Sequence, residues 1–300
     1  SSRSSSMDGR AHLQGLESYL KSRVIGQEDA LSRVARAIQS GECDLNDRGP
    51  RPKGSFLFMG SRGIGKTETA KAFTQYLFGD SGLVMLFMNE YQRADDVEDL
   101  VVAIKRGVSA HAAGTAFLFD EIEKAHRAII DIFISLLDEG QITDLDGSRI
   151  SVGNCYLVLT SNIGAARWAS METTKYSRME SFAFEQARKV LRPELFNRIT
   201  ETIVFRPLSQ EVQISILSEL LSKKLNYLES RLRKRPLAVD DRANAQLLRK
   251  CFTQAEGARR LRQELDRQIN LAALPWVLEN RPPSEGRFYY EPKLDQLVLR

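Results

Sequence analysis

Gly60-Ser61-Arg62-Gly63-Ile64-Gly65-Lys66-Thr67 follows the short apolar run Ser55–Met59 and opens a segment of helical pattern, and this placement constrains the chain more than any other feature. The spacing is G-x-x-x-x-G-K-[ST], a motif that requires a strand before it and a helix after it. Glycines in such a loop let backbone N–H groups close around a phosphate at the helix N-terminus. Lys66 then supplies positive charge to the β and γ oxygens of a nucleotide, and Thr67 offers a hydroxyl to Mg²⁺. The segment therefore implies a nucleoside triphosphate site on an α/β scaffold. Its Arg62 either adds charge near the phosphates or points to solvent.

A second apolar run, Ala116-Phe117-Leu118-Phe119, ends in Asp120-Glu121. Alone, such a pair reads as a strand leaving the core. Downstream of a phosphate loop it places Asp120 beside the metal and Glu121 where it can polarise a water, the two functions that phosphoryl transfer to water needs. Loop and acid pair together imply hydrolysis as well as binding.

Apolar runs at Leu83–Met88 and Tyr156–Thr160 complete a set of four central strands, separated by helical patterns such as Ala128–Leu137. Alternation of this kind predicts a parallel central sheet. Before it, Leu13, Leu16 and Leu20, then Leu31, Val34, Ala35 and Ile38, recur at helical spacing on either side of Val24-Ile25-Gly26, which predicts two helices and an elbow. Beyond Phe205-Arg206-Pro207 the pattern changes to long amphipathic helices over Gln210–Leu232, Arg242–Phe252 and Ala258–Leu274, with strand candidates at Arg287–Tyr290 and Gln296–Leu299. The division expected is a Ser/Arg-rich start over residues 1–10, disordered or an appended tail, a large α/β domain over 11–206, and a small, mainly helical domain over 207–300. Phe252 and Trp276 are expected in the small domain's core.

Charge excludes little. A net charge of +4 on a chain that is 27% charged is a thin surplus, and Arg231-Leu232-Arg233-Lys234-Arg235 reads as a solvated helix end, so nucleic-acid binding is not indicated. Three scattered cysteines, Cys43, Cys155 and Cys251, without a C-x-x-C pair, argue against a disulfide framework and a zinc site, and fit a reducing, cytoplasmic setting. His12, His111 and His126 do not cluster with them. No apolar stretch approaches the ~20 residues that span a bilayer, so no membrane insertion is expected.

The chain resembles the Clp-type AAA+ unfoldases and disaggregases, most closely the second ATPase module of ClpB-like proteins. The resemblance runs from about Leu16 to Leu299. It is carried by Val24-Ile25-Gly26-Gln27, the phosphate loop, Asp120-Glu121-Ile122-Glu123-Lys124-Ala125-His126, Leu136-Leu137-Asp138-Glu139-Gly140, Thr160-Ser161-Asn162-Ile163-Gly164, Leu191-Arg192-Pro193-Glu194-Leu195-Phe196-Asn197-Arg198 and Gly257-Ala258-Arg259. It implies an AAA+ P-loop NTPase fold with a small C-terminal lid, ATP and Mg²⁺ as cofactors, and a homo-oligomeric ring, a hexamer. Val24 and Ile25 would line the adenine pocket. Asn162 would hold the attacking water or the γ-phosphate. Arg198 would reach the ATP of a neighbouring subunit as an arginine finger, and Arg259 would contact the γ-phosphate from the small domain, so that nucleotide exchange becomes motion.

One part of the family pattern is missing. Where the family carries an aromatic flanked by glycines to grip a polypeptide in the pore, this chain reads Met88-Asn89-Glu90-Tyr91-Gln92-Arg93-Ala94-Asp95-Asp96 and passes into a helix. Aromatic area is what holds varied side chains without sequence readout, so its loss weakens threading. The segment between Ile163 and Leu191 also lacks the Ile-Gly-Phe or Ile-Gly-Leu tripeptide that docks a peptidase. The functions implied are ATP-driven remodelling or disassembly of a protein substrate or complex, an assembly or regulatory switch that does not thread, and, third, a nucleic-acid-bound motor.

Overall fold

The structure is a computed structural model that describes residues 9–111, 113–252 and 257–300. By backbone proximity it divides into two compact units, one of Ser1–Ser61 with Gly65–Arg206 and one of Arg62–Ile64 with Pro207–Arg300. Most of the Ser/Arg-rich start lies outside the described residues, while residues 9–14 are helical.

The first unit is built on a five-stranded sheet in the order β2-β3-β6-β1-β7, every pair parallel. Its strands are β1 (Gly54–Met59), β2 (Leu83–Phe87), β3 (Thr115–Asp120), β6 (Cys155–Ser161) and β7 (Glu201–Val204). β1 and β6 are buried along their whole length because helices cover both faces, which is why they read as unbroken apolar runs. Edge strand β2 is only partly buried. Leu57, Met59, Phe117, Phe119, Leu157 and Leu159 project to one face, where Leu100, Ile104, Ile129 and Phe133 from the helices Val97–Ala110 and Arg127–Glu139 meet them. On the other face Phe56 and Tyr156 pack against Phe73 of the helix Lys66–Phe78, with ring centroids 6.2 and 5.8 Å away. This packing fixes the helix that follows the phosphate loop.

The elbow falls where the sequence predicts it. Helices Leu16–Arg23 and Glu28–Glu42 flank Val24-Ile25-Gly26-Gln27, and Gly26 takes a φ of 80° that a side chain would resist. Gly140 ends the helix Arg127–Glu139 at φ 67°, and a Cβ there would stand 1.8 Å from the Pro50 carbonyl oxygen. Two features escape a periodicity reading. β7 is four residues long, and the hairpin β4 (Gln141–Thr143) to β5 (Arg149–Ser151) has three per strand, too short for a period to register.

In the second unit, helices Gln210–Leu232, Asp241–Cys251 and Gly257–Leu278 enclose a core of Leu217, Leu228, Leu247, Leu261, Leu265 and Ile269. A three-stranded sheet, β10-β9-β8, closes it, with β9 (Arg287–Glu291) antiparallel to β10 (Gln296–Leu299) and parallel to β8 (Ala238–Val239). The last helix continues past Leu274 through Pro275. Trp276 anchors that extension, its indole N–H donating to the Leu299 carbonyl at 2.9 Å. Trp276 packs against the core as expected, but Phe252 does not: at the end of its helix, it is 40% exposed. Among the described residues no helix is long and apolar enough to cross a membrane.

Candidate active site

Because β6 lies between β1 and β3, the turns leaving these three strands share the carboxyl edge of the sheet, the place where open α/β sheets bind ligands. The phosphate loop leaves β1, Asp120 ends β3 with Glu121 directly after it, and Asn162 directly follows β6. Hydrogen bonds join them. The Lys66 ammonium, 7% exposed, donates to the carbonyls of Gly60 and Ser61, both at 2.6 Å, and to Asn162 Oδ1 at 3.1 Å. Asn162 Nδ2 donates in turn to Glu121 Oε1 at 2.7 Å. A cation, an amide and a carboxylate from three strand ends thus form one chain.

The loop takes its shape from glycine. Gly60, Gly63 and Gly65 have φ of 147°, 71° and 116°, and Gly65 caps the helix Lys66–Phe78 from the left-handed region. A Cβ on Gly65 would also stand 2.8 Å from Val24 Cγ1, so the elbow packs directly on the loop. Val24 is buried and Ile25 half-buried beside it in sequence. Arg62, Gly63 and Ile64 at the loop's tip group with the second unit.

Glu121 is one of few non-glycine residues at positive φ, 59° with ψ 60°. Such a backbone costs about 1–3 kcal/mol and persists only where its surroundings hold it. Here they do. Thr160, buried on β6, donates its hydroxyl to Asp120 Oδ1 at 2.6 Å and accepts the Glu121 N–H at 3.0 Å, so a single side chain orients both acids. Thr67 and Asp120 face the metal question with hard oxygens. Among the described residues no side chain bonds the Thr67 hydroxyl or Asp120 Oδ2, and this donor set suits Mg²⁺.

The other expected residues lie elsewhere. Arg198 follows the short helix Pro193–Phe196, donates to the Glu194 carbonyl at 2.9 Å and pairs with Asp138 at 3.3 Å, with no bond to the cluster around Lys66. Arg259 is exposed in the first turn of the helix Gly257–Leu278 in the second unit. Tyr91 belongs to the core: it is 8% exposed, burial raises its phenol pKa, and its carbonyl accepts the His126 N–H at 2.9 Å. It offers no exposed ring to a substrate.

Three residues of the site had no role readable in the sequence. Thr160 and Glu123 act on partners 39 or 40 positions away, and Gln27 on one 179 away. Their only signal was membership of the quoted motifs.

A parallel sheet whose central carboxyl edge joins a glycine loop, a buried lysine and an adjacent pair of acids defines a P-loop nucleoside triphosphatase. Residues 51–202 match the profile of the AAA domain (Cdc48 subfamily), and residues 208–274 match that of the C-terminal, D2-small domain, of ClpB protein. The chain belongs to the AAA family and is an ATPase of its ClpB-like branch. It is 36% identical over 298 residues to Chaperone protein ClpB 1 of Nostoc sp., covering 94% of this chain and 33% of that protein. Against Probable chaperone protein ClpB 1 of Chlorobaculum tepidum the identity is 34%, over 97% of this chain and 70% of the relative. Chaperone protein ClpB3, chloroplastic, of Arabidopsis thaliana is 36% identical over 77% of this chain and 25% of its own length. The chain spans about a third of the length of the Nostoc relative.

Proposed function

We propose that the chain couples ATP hydrolysis in a homo-oligomeric ring, a hexamer, to the remodelling or disassembly of a protein substrate or complex in the cytoplasm. The observation that carries the hydrolytic part is the Lys66–Asn162–Glu121 chain of hydrogen bonds. In this reading Val24 and Ile25 hold the adenine, and Gly60, Ser61, Arg62, Gly63, Ile64, Gly65 and Lys66 surround the phosphates. Thr67 and Asp120 hold Mg²⁺, which when bound offsets charge on the β and γ oxygens. Glu121 polarises the attacking water, Asn162 orients it against the γ-phosphate, and Arg259 adds a cation from the small domain. Residues 11–206 are the catalytic domain and 207–300 the lid.

Arg198 completes the site of a neighbouring subunit. Its bonding to Glu194 and Asp138, away from the Lys66 cluster, supports that placement, and the ClpB names of the relatives support a protein substrate. The test is turnover against protein concentration with ring size followed in parallel. Turnover that rises with assembly, and that Arg198→Ala lowers by about 10³ to 10⁵, is the expected result. Full turnover in Arg198→Ala, or turnover independent of assembly, removes the ring from the mechanism.

A second reading, a switch that holds a partner without pulling on it, draws support from the burial of Tyr91. Loading with an unfolded protein separates the two: a remodeller turns over faster when loaded, whereas a switch changes only its lifetime in one state.

A further inference from the structure

Glu123 stands outside the residues that the proposed reading uses, two positions beyond Glu121 in the turn Ile122–Lys124. Its Oε1 accepts the backbone N–H of Asn162 at 3.0 Å, while Glu121 takes the side-chain amide of the same residue at 2.7 Å. One short turn therefore holds Asn162 by two separate groups. Lys66 holds the remaining amide atom, Oδ1.

The other Glu123 oxygen, Oε2, is buried and has no hydrogen-bond partner among the described residues. A buried, half-satisfied carboxylate is a poor way to stabilise a fold, since well-packed apolar replacements of buried ions are often neutral or stabilising. Shape alone would be served by methionine. What methionine lacks is an acceptor for Asn162, at the point where the chain leaves β6 and where an error in the backbone would swing the side chain away from Lys66 and Glu121.

We propose that Glu123 is a positioning residue for hydrolysis: by accepting the Asn162 N–H it fixes the turn that aims the Asn162 side chain between Lys66 and Glu121. The proposal rests on the reading in which Asn162 faces the γ-phosphate. It assigns Glu123 an effect on kcat and none on nucleotide affinity.

The test compares Glu123→Met, Glu123→Gln and Asn162→Ala in the 300-residue chain, measuring kcat, the dissociation constant of a fluorescent ATP analogue, and Tm. Displacing a reacting group by about 1 Å costs roughly 10²-fold, so Glu123→Met is expected to lose that much kcat with analogue affinity unchanged and Tm unchanged or raised. Glu123→Gln keeps a carbonyl acceptor and should restore most of the turnover. Combined with Asn162→Ala, Glu123→Met should add little to the loss, because both act through one residue. Wild-type kcat in Glu123→Met overturns the proposal, as does a parallel fall of kcat, affinity and Tm, or a Glu123→Gln variant as slow as Glu123→Met. Wild-type turnover in Asn162→Ala instead removes the role given to Asn162.

Discussion

The side-chain amide of Gln27 and the backbone of Arg206 pair reciprocally: Gln27 Nε2 donates to the Arg206 carbonyl at 2.9 Å, and the Arg206 N–H donates to Gln27 Oε1 at 2.8 Å. Gln27, 1% exposed, follows the elbow that packs on Gly65, and Arg206 is the last residue of the first unit. Arg206 is held further by the Thr174 carbonyl at 2.7 Å and by Asp29 at 3.3 Å. The end of the domain is thus tied to the elbow beside the phosphate loop. Gln27→Leu should lower stability by about 1–3 kcal/mol for each group it leaves unpaired, and Gln27→Glu, which keeps the acceptor for the Arg206 N–H but sets a carboxylate oxygen against the Arg206 carbonyl, should also destabilise. Denaturant titration measures both.

Lys66 donates to three acceptors that belong to the loop and to β6's exit, and in the proposed reading a bound phosphate takes over part of that bonding. A charge-assisted hydrogen bond is worth about 1.5–3 kcal/mol, and Lys66→Met should weaken nucleotide binding about 10- to 150-fold. Calorimetric titration with ATP reads this directly. Affinity equal to wild type would remove Lys66 from the phosphate site.

For Glu121→Gln the expectation is different. The amide keeps the size of the side chain and its carbonyl can still accept from Asn162, so nucleotide binding should persist. Loss of the proposed general base should lower turnover by about 10²- to 10⁴-fold. A stable ATP-bound state, with substrate recovered unhydrolysed after hours, is the observation to seek.

The thiols provide a test of the fold. Burial pushes both Cys155 and Cys251 up to about 12, while Cys43 is exposed. The thiolate is the reactive species, so at pH 8 a maleimide should modify only Cys43 in the native protein, and all three after denaturation. Mass spectrometry of the labelled protein counts them. Two rapid equivalents in the native state would contradict the packing of β6 or of the helix Asp241–Cys251.

The phosphate loop and acid pair were legible because their chemistry is local: eight consecutive residues and two adjacent acids carry their meaning in spacing. The central strands were legible for a related reason, since burial on both faces confines the polar residues of β1, β3 and β6 to their ends. Edge strand β7 and the hairpin after Gly140 were not, being too short to show a period. Pro275 signals a helix end on backbone grounds, yet a tertiary hydrogen bond from Trp276 carries the helix beyond it. Thr160, Glu123 and Gln27 looked like ordinary polar residues, because their partners are set by the strand order, which sequence periodicity does not encode.

The insertion of β6 between β1 and β3 bears on the synthesis of the chain as well as on its chemistry. A ribosome releases the phosphate loop first and Asp120-Glu121 some fifty residues later, yet neither β1 nor β3 has its common neighbour until Cys155–Ser161 emerges. Until then the nascent chain holds two halves of a site with nothing to join them. ATP is therefore expected to protect a ribosome-bound chain from protease only after Asn162 has left the exit tunnel, which would have the nucleotide act late in folding, on a sheet already closed around its last central strand.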